Sequence, residues 1–316
     1  MATLSRWLNS DVTLHVGTIA DVKAHVPSFD RRPFALAQSD RPWVRENDRL
    51  DTIVRLPFAD DFGCVPVGVV SKDYALLQHS SVFDETMKAL EDAKIDPATV
   101  DAELRLTQFG ERMKLSLRLP DNYLFDPGDR FPMTVRLECL NSVDGSTRFR
   151  AVMGWFRLVC SNGLAIGITR SESDRRHVGD LQLQHIGDVL RTGIGEYKLE
   201  RDTLIRWRDA EASTDDLRSW VERELRAGWG FKAASRAWHI ARTGCDVNVI
   251  GPYKNHSPTT IPVERTAAVP GSPEESTSLF DISQILAWLA KERRDIQEQM
   301  EWREQIPALM ASLAAA

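Results

Sequence analysis

Between residues 112 and 155 apolar and polar side chains alternate in three successive runs, and this period of two points to a half-buried β-sheet. In the first run Met113, Leu115, Leu117 and Leu119 interleave with Arg112, Lys114, Ser116 and Arg118. In the second, Met133, Val135, Leu137 and Cys139 alternate with Thr134, Arg136 and Glu138. Asp144-Gly145 follows, a pair that tolerates positive φ, and it predicts a hairpin turn. In the third run Phe149, Ala151, Met153 and Trp155 share a face opposite Arg148 and Arg150, until Gly154 and the apolar run Trp155 to Cys160 break the alternation and predict a bulge. Paired as a meander, the strands place Arg112, Lys114, Arg118, Arg136, Arg148 and Arg150 on one exposed face. A two-dimensional array of cations suits a polyanion.

With 316 residues, 42% of them hydrophobic, the chain can bury one large core or two smaller ones. No apolar run approaches the ~20 residues that span a bilayer, and the N-terminus lacks the order of a signal peptide. The expected location is the cytoplasm, without membrane contact. Cys64, Cys139, Cys160 and Cys245 lie too far apart for a dense disulfide framework and read as free thiols in a reducing compartment. The net charge of −6 is unevenly spread. Residues 1–103 hold 11 Lys/Arg against 17 Asp/Glu, residues 104–176 hold 12 against 8, and residues 274–304 hold 4 against 8. A local anion site is compatible with an acidic whole.

The expected fold class is α+β: an antiparallel meander flanked by helices, with a helical C-terminal half. Residues 1–63 read as an irregular N-terminal arm with short strands such as DTIVRLPF, and residues 64–250 as the core domain. Within the core, two short strands precede a helix with Ser81 as N-cap and Phe83, Met87 and Leu90 on one face. Leu183, Ile186, Val189 and Leu190 form a second helical stripe, and Leu217, Val221 and Leu225 a third, capped by Thr214, Asp215 and Asp216. Residues 251–276 contain five prolines and read as a linker or loop. Residues 277–316 read as a C-terminal helix opening at Ser278.

No phosphate-binding glycine loop, nucleophile elbow, His-Glu-x-x-His or Cys-x-x-Cys motif is present, so no catalytic residue, metal or cofactor is assigned. Cys139, Cys160, His177 and His185 make a Cys2His2 set in chain order, but the spacing is no zinc signature and packing explains a buried cysteine. Asp60-Asp61 and Asp215-Asp216 read as loop and cap residues, not acid pairs. Trp207, Trp220, Trp229 and Trp238 fit helix packing better than base stacking. For the basic array two readings stand: a solvated sheet face, or an anion-binding surface.

The segment NSVDGSTRFRAVMGWFRLVCSNGLAIG, with Arg157, Cys160, Ser161, Asn162, Gly163 and Leu164, resembles the hallmark of the phage/plasmid-like proteins of the domain-of-unknown-function family numbered 932. DYALLQHSSVFD resembles that family's Tyr-containing strand leading into a helix, and SLFDISQILAWLAKE its late Ser-Leu-Trp-Asp helix, with Phe280 in place of Trp. The resemblance implies a mobile-element setting in a bacterial host and no particular mechanism. The order helix, meander, helices also resembles the core of phage single-strand annealing proteins, a fold analogy. It implies non-catalytic binding or annealing of single-stranded DNA in recombination, with Arg112, Lys114, Arg118, Arg136, Arg148 and Arg150 on the phosphates, Arg157 structural, and homo-oligomers extending the groove. The alternative is a mobile-element protein that engages a host nuclease or defence factor without binding DNA.

Overall fold

A computed structural model of the chain describes residues 12–35, 45–128, 131–158, 163–164 and 184–315. Its elements, in chain order, begin with β1 (Val12–Thr18), α1 (Ile19–Lys23), β2 (Phe29–Pro33), β3 (Leu50–Arg55), β4 (Val65–Ser71) and α2 (His79–Asp92). Next come β5 (Asp101–Thr107), β6 (Arg112–Arg118), β7 (Leu124–Phe125), β8 (Met133–Ser142), β9 (Arg150–Arg157) and β10 (Gly163–Leu164). The remainder is α3 (Gln184–Asp209), α4 (Thr214–Trp220), α5 (Arg226–Thr243), β11 (Cys245–Val249), β12 (Val263–Ala268), α6 (Leu279–Lys291) and α7 (Ile296–Ala314). The fold is α+β with antiparallel sheets and a helical C-terminal half, as expected. The main sheet has the order β1-β5-β6-β8-β9-β10 with β7 on β8; β2-β3-β4 and β11-β12 form two smaller sheets.

The chain divides into two compact units, Met1–Pro120 with Arg136–Met153 and Ile168–Ile194, and Asp121–Val135 with Gly154–Gly167 and Gly195–Ala316. In the first, the alternation forms the ladder that it predicts. Leu115 stands opposite Leu104 on β5 and Cys139 on β8, and Leu117 opposite Ala102 and Leu137, all buried. Each such leucine removed from water contributes about 1.5–3 kcal/mol. Asp144-Gly145 makes the expected turn, with Gly145 at φ 76°. β9 runs on through Gly154, the position of the expected bulge.

Helix α2 starts two residues before the expected cap, at His79, and Gln78 precedes it without capping it. Both residues are engaged elsewhere. The Gln78 side chain accepts from Phe29 N (3.1 Å) and donates to Phe29 O (2.8 Å), tying the helix start to β2. His79 is fully buried, with Nε2 on Gly110 O (2.8 Å) and Nδ1 on Asn141 Nδ2 (2.9 Å). The helix buries Val82, Phe83, Thr86, Ala89 and Leu90. The expected N-terminal arm is regular over much of its described length. It supplies β1 to the main sheet and β2 and β3 to the smaller one, where Phe29, Ile53, Val70, Tyr74 and Val143 form a core.

In the second unit Leu217, Val221 and Leu225 are buried as the stripe predicts, but the helix that carries them passes through a π-helical turn at Val221–Leu225 and a kink at Gly230. Ser213, not Thr214, is the N-cap of α4. The tryptophans pack rather than present open faces. Trp220 donates to Ser312 Oγ (2.8 Å), and Trp229 donates to Gln305 Oε1 (2.8 Å) while stacking on Trp302. The expected linker at 251–276 contains β12, a full partner of β11. The final helix opens at Ser278 with a capping box to Asp281, as expected, but ends at Lys291, and a second helix restarts at the Asp295 cap.

One glycine of β4 tests how tightly the small sheet sits on the β8–β9 turn. A Cβ on Gly68 would lie 2.7 Å from the backbone Cα of Asp144, which cannot rotate away. Gly68→Ala is expected to cost about 1–3 kcal/mol, as overpacking does, read as a lowered midpoint in denaturant unfolding.

Candidate functional site

The six cations assigned to one exposed face divide by burial. Arg112 is 2% exposed and Lys114 7% exposed, so neither belongs to an open surface, and that expectation is corrected. Arg112 donates from Nε (3.1 Å) and Nη2 (3.0 Å) to Asp144 Oδ2, and Lys114 Nζ lies 3.0 Å from Glu138 Oε1. Arg136 is largely covered and lies 2.7 Å from Glu103 Oε1. Arg118 is partly exposed, 3.7 Å from Asp101. Arg150 is half-buried and Arg148 is exposed.

The cause is the register. Asp101, Arg118 and Arg136 stand in one row across β5, β6 and β8, and Glu103, Ser116 and Glu138 in the next. Each carboxylate therefore falls opposite or diagonal to a cation on the same face. Taking a cation out of water costs several kcal/mol unless a carboxylate meets it, and here four do. The alternation Asp101, Glu103 and Arg105 against Ala102, Leu104 and Leu106 carries the signal for β5 and its acids, which a reading of β6, β8 and β9 alone misses.

Arg157 and the SLFD segment, two of the features that carry the family resemblance, meet in the second unit. Arg157, at the end of β9, is buried; its Nη1 donates to Gly271 O (3.1 Å), and its guanidinium lies 4.9 Å from the Phe131 ring and 5.8 Å from the Phe280 ring. Gly271 has φ 73°, and a Cβ there would lie 3.1 Å from the guanidinium carbon, so both backbone and contact call for glycine. Ser278 and Asp281 of the SLFD segment form the α6 capping box, which sets Phe280 in the first turn beside Arg157. Gly163 and Leu164 pair with Phe156 and Trp155 as β10. The structural role expected for Arg157 is the one its contacts describe. Cys160, Ser161, Asn162 and His177 lie outside the described residues, as does the side chain of His185.

Beside these residues Arg303 lies over the Phe156 ring at 5.1 Å, and Glu200 is buried near Trp155. Burial, then the neighbouring Glu196, push the Glu200 carboxyl up to about 8. The Trp155 indole works in the opposite direction, yet neither Trp155 Nε1 nor Glu200 Oε1 completes a hydrogen bond. Among the described residues no group of three or more His, Cys, Asp and Glu could hold a metal ion. Cys139 is wholly buried, and burial pushes its thiol up to about 12, away from nucleophilic or ligating use. Asp216 accepts the Ser213 hydroxyl as part of the α4 cap, and Asp61 accepts from Gly63 N (3.0 Å) and pairs with Arg55.

Two measurements check these assignments. Glu138→Leu leaves Lys114 buried without this carboxylate and is expected to cost about 3–5 kcal/mol, whereas Lys114→Met with Glu138→Leu should recover most of that loss in a double-mutant cycle. For Glu200 the sign follows from its raised value of about 8 against an ordinary 4.5. Below 4.5 both folded and unfolded states hold the proton; between 4.5 and about 8 only the folded state holds it, so stability falls as pH rises through that window and levels off above it. Glu200→Gln should flatten this slope in thermal melts taken from pH 4.5 to 9.

No curated protein matches the chain, and no solved structure does. A family model does match, over residues 66–266, from β4 to the middle of β12, and the chain belongs to that family, described as Domain of unknown function (DUF932).

Proposed function

We propose that the chain is a non-catalytic binding protein of a phage or plasmid type of mobile element, and that it binds single-stranded DNA on the cations that remain at the surface of the meander. The observation that carries this reading is the exposure of Arg148, together with the partial exposure of Arg118 and Arg150. Arg118 faces Asp101 across 3.7 Å in a solvent-exposed pair. Such pairs are worth about 0–1 kcal/mol, so a phosphate can displace the carboxylate at little cost. Arg112 and Lys114 drop out of the contact set, because a buried pair would have to be broken to free them. The bracketing of the meander by α2 and α3 in chain order adds the analogy to single-strand annealing proteins, which work by positioning strands.

A second reading is a protein partner in place of DNA. The near balance of the β5, β6 and β8 strands with the Asp144 turn favours it: Arg105, Arg112, Lys114, Arg118 and Arg136 are set against Asp101, Glu103, Glu138 and Asp144. A face so nearly neutral attracts a polyanion weakly.

Fluorescence anisotropy with a labelled single-stranded oligonucleotide separates the two. Binding at low salt that weakens steeply as salt rises is expected, and Arg148→Glu with Arg150→Glu should weaken it by about tenfold or more, since each reversal replaces an attraction with a repulsion. Wild-type affinity in that double variant removes the DNA reading. No binding at low salt does so too, and turns the search to protein partners.

A further inference from the structure

Among the described residues β1 is the outermost strand of the main sheet, with β5 on its one paired side. Sheet edges are normally guarded by charge, proline or bulges, because open backbone groups recruit further strands. Outer strands of the two smaller sheets carry such guards. β2 holds Asp30, Arg31, Arg32 and Pro33; β4 holds Pro66; β12 holds Glu264 and Arg265. β1 reads Val-Thr-Leu-His-Val-Gly-Thr, with no Asp, Glu, Lys, Arg or Pro. Its register with β5 puts Leu14 opposite Arg105 and Val16 opposite Glu103, on the outer face, where Leu14 is 49% and Val16 68% exposed.

We infer that β1 is a self-association edge: two copies of this chain pair β1 with β1 antiparallel about a two-fold axis at His15, joining their main sheets. The charge pattern selects a second copy as the occupant. A strand without Asp, Glu, Lys or Arg can meet itself with no like charges opposed, whereas β2 or β12 paired with itself in the same way would bring charged side chains close to their own copies. His15 is the midpoint of Val12–Thr18, so centring there lets the whole strand pair. Leu14 then faces Val16 of the second copy, twice, and the two apolar side chains left in water cover each other. The two-fold makes the contact closed, so it ends at a dimer and does not propagate into a filament through this edge.

The test needs no nucleic acid, so its outcome is independent of the proposed ligand. Sedimentation velocity of the full chain at micromolar concentration is expected to give twice the 35.7 kDa mass of one chain. Val16→Lys places a charge on an exposed position that fills no core, and should raise the dimer dissociation constant at least about tenfold, the loss expected when an apolar cross-strand pair becomes a buried charge. Val69→Lys, at a half-exposed position on β4, serves as the control and should leave the mass unchanged. His15→Cys should cross-link the two copies under mild oxidation, reporting the register. A single-chain mass for the wild type, or a Val16→Lys dimer as tight as the wild type, overturns the inference.

Discussion

The ion pairs that run across the central strands of the first unit set the terms for the rest of it. β6 lies between β5 and β8 and is buried along nearly its whole length, polar positions included. A strand covered on both faces is ordinarily apolar throughout. Here Arg112 and Lys114 occupy covered positions, where Asp144 and Glu138 stand 3.0 Å away and offset the cost of burying them. This ties distant parts of the chain together. Asp144 belongs to the β8–β9 turn, so its backbone must sit where Arg112 can reach it, and Gly68 of β4 must lack a side chain so that the turn can sit there. A buried pair of this kind adds little net stability over apolar packing, but it penalises every register in which the partners miss each other. A slip by one residue would separate the covered Arg112 and Lys114 from these carboxylates.

In the second unit an arginine is held by different means. Arg157 has a carbonyl oxygen and two aromatic faces among its partners, and the ring faces supply negative potential without a formal charge. That choice fits its surroundings. The α6 capping box already uses Asp281 on Ser278, and the turn at Gly271 presents its carbonyl with no side chain in the way. Two of the segments that carry the family resemblance thus meet in one packed arrangement: Arg157 from one, Phe280 from the other, and β10 pairing with Trp155 and Phe156. Phe280 in place of Trp keeps the ring face that the guanidinium needs. What marks the family here is architecture, and the described part of the motif brings no nucleophile, base or metal ligand to the same place.

Much of this was legible in the sequence, unevenly. The alternation of 112–155 predicts β6, β8, β9 and the turn at Asp144-Gly145, because side-chain period and turn chemistry are local properties. The neutralisation of the cations was not read, since a division at residue 104 assigns Asp101 and Glu103 to an acidic N-terminal block and cuts β5 in two. Ion pairing across strands depends on register, which no single strand reveals. The start of α2 was misplaced for a related reason: Ser81 is a good local cap, but Gln78 and His79 are held by Phe29, Gly110 and Asn141, contacts distant in sequence. The break between α6 and α7 carries a local signal after all, in the Asp295 side chain that accepts from Gln297 N and Glu298 N. Continuous charge through KERRDIQEQ obscures it.

These constraints also decide where on the first unit a binding event can occur without unfolding the site. At the middle of the sheet every exchange would begin by separating a covered ion pair, at a cost of the order of 3–5 kcal/mol before any new contact formed. At the periphery the cost is lower: Arg118 shares a weak exposed pair, Arg148 is exposed, and β1, the last strand of the sheet among the described residues, carries uncharged, partly exposed residues. A ligand of either kind, a phosphate chain or another strand, is therefore directed to the margins. The two margins are chemically distinct. One offers guanidinium groups, whose attraction decays with salt; the other offers apolar side chains and backbone amides, whose association salt barely weakens. The proposed self-association and the proposed anion contact are therefore compatible, because neither uses the groups that the other requires.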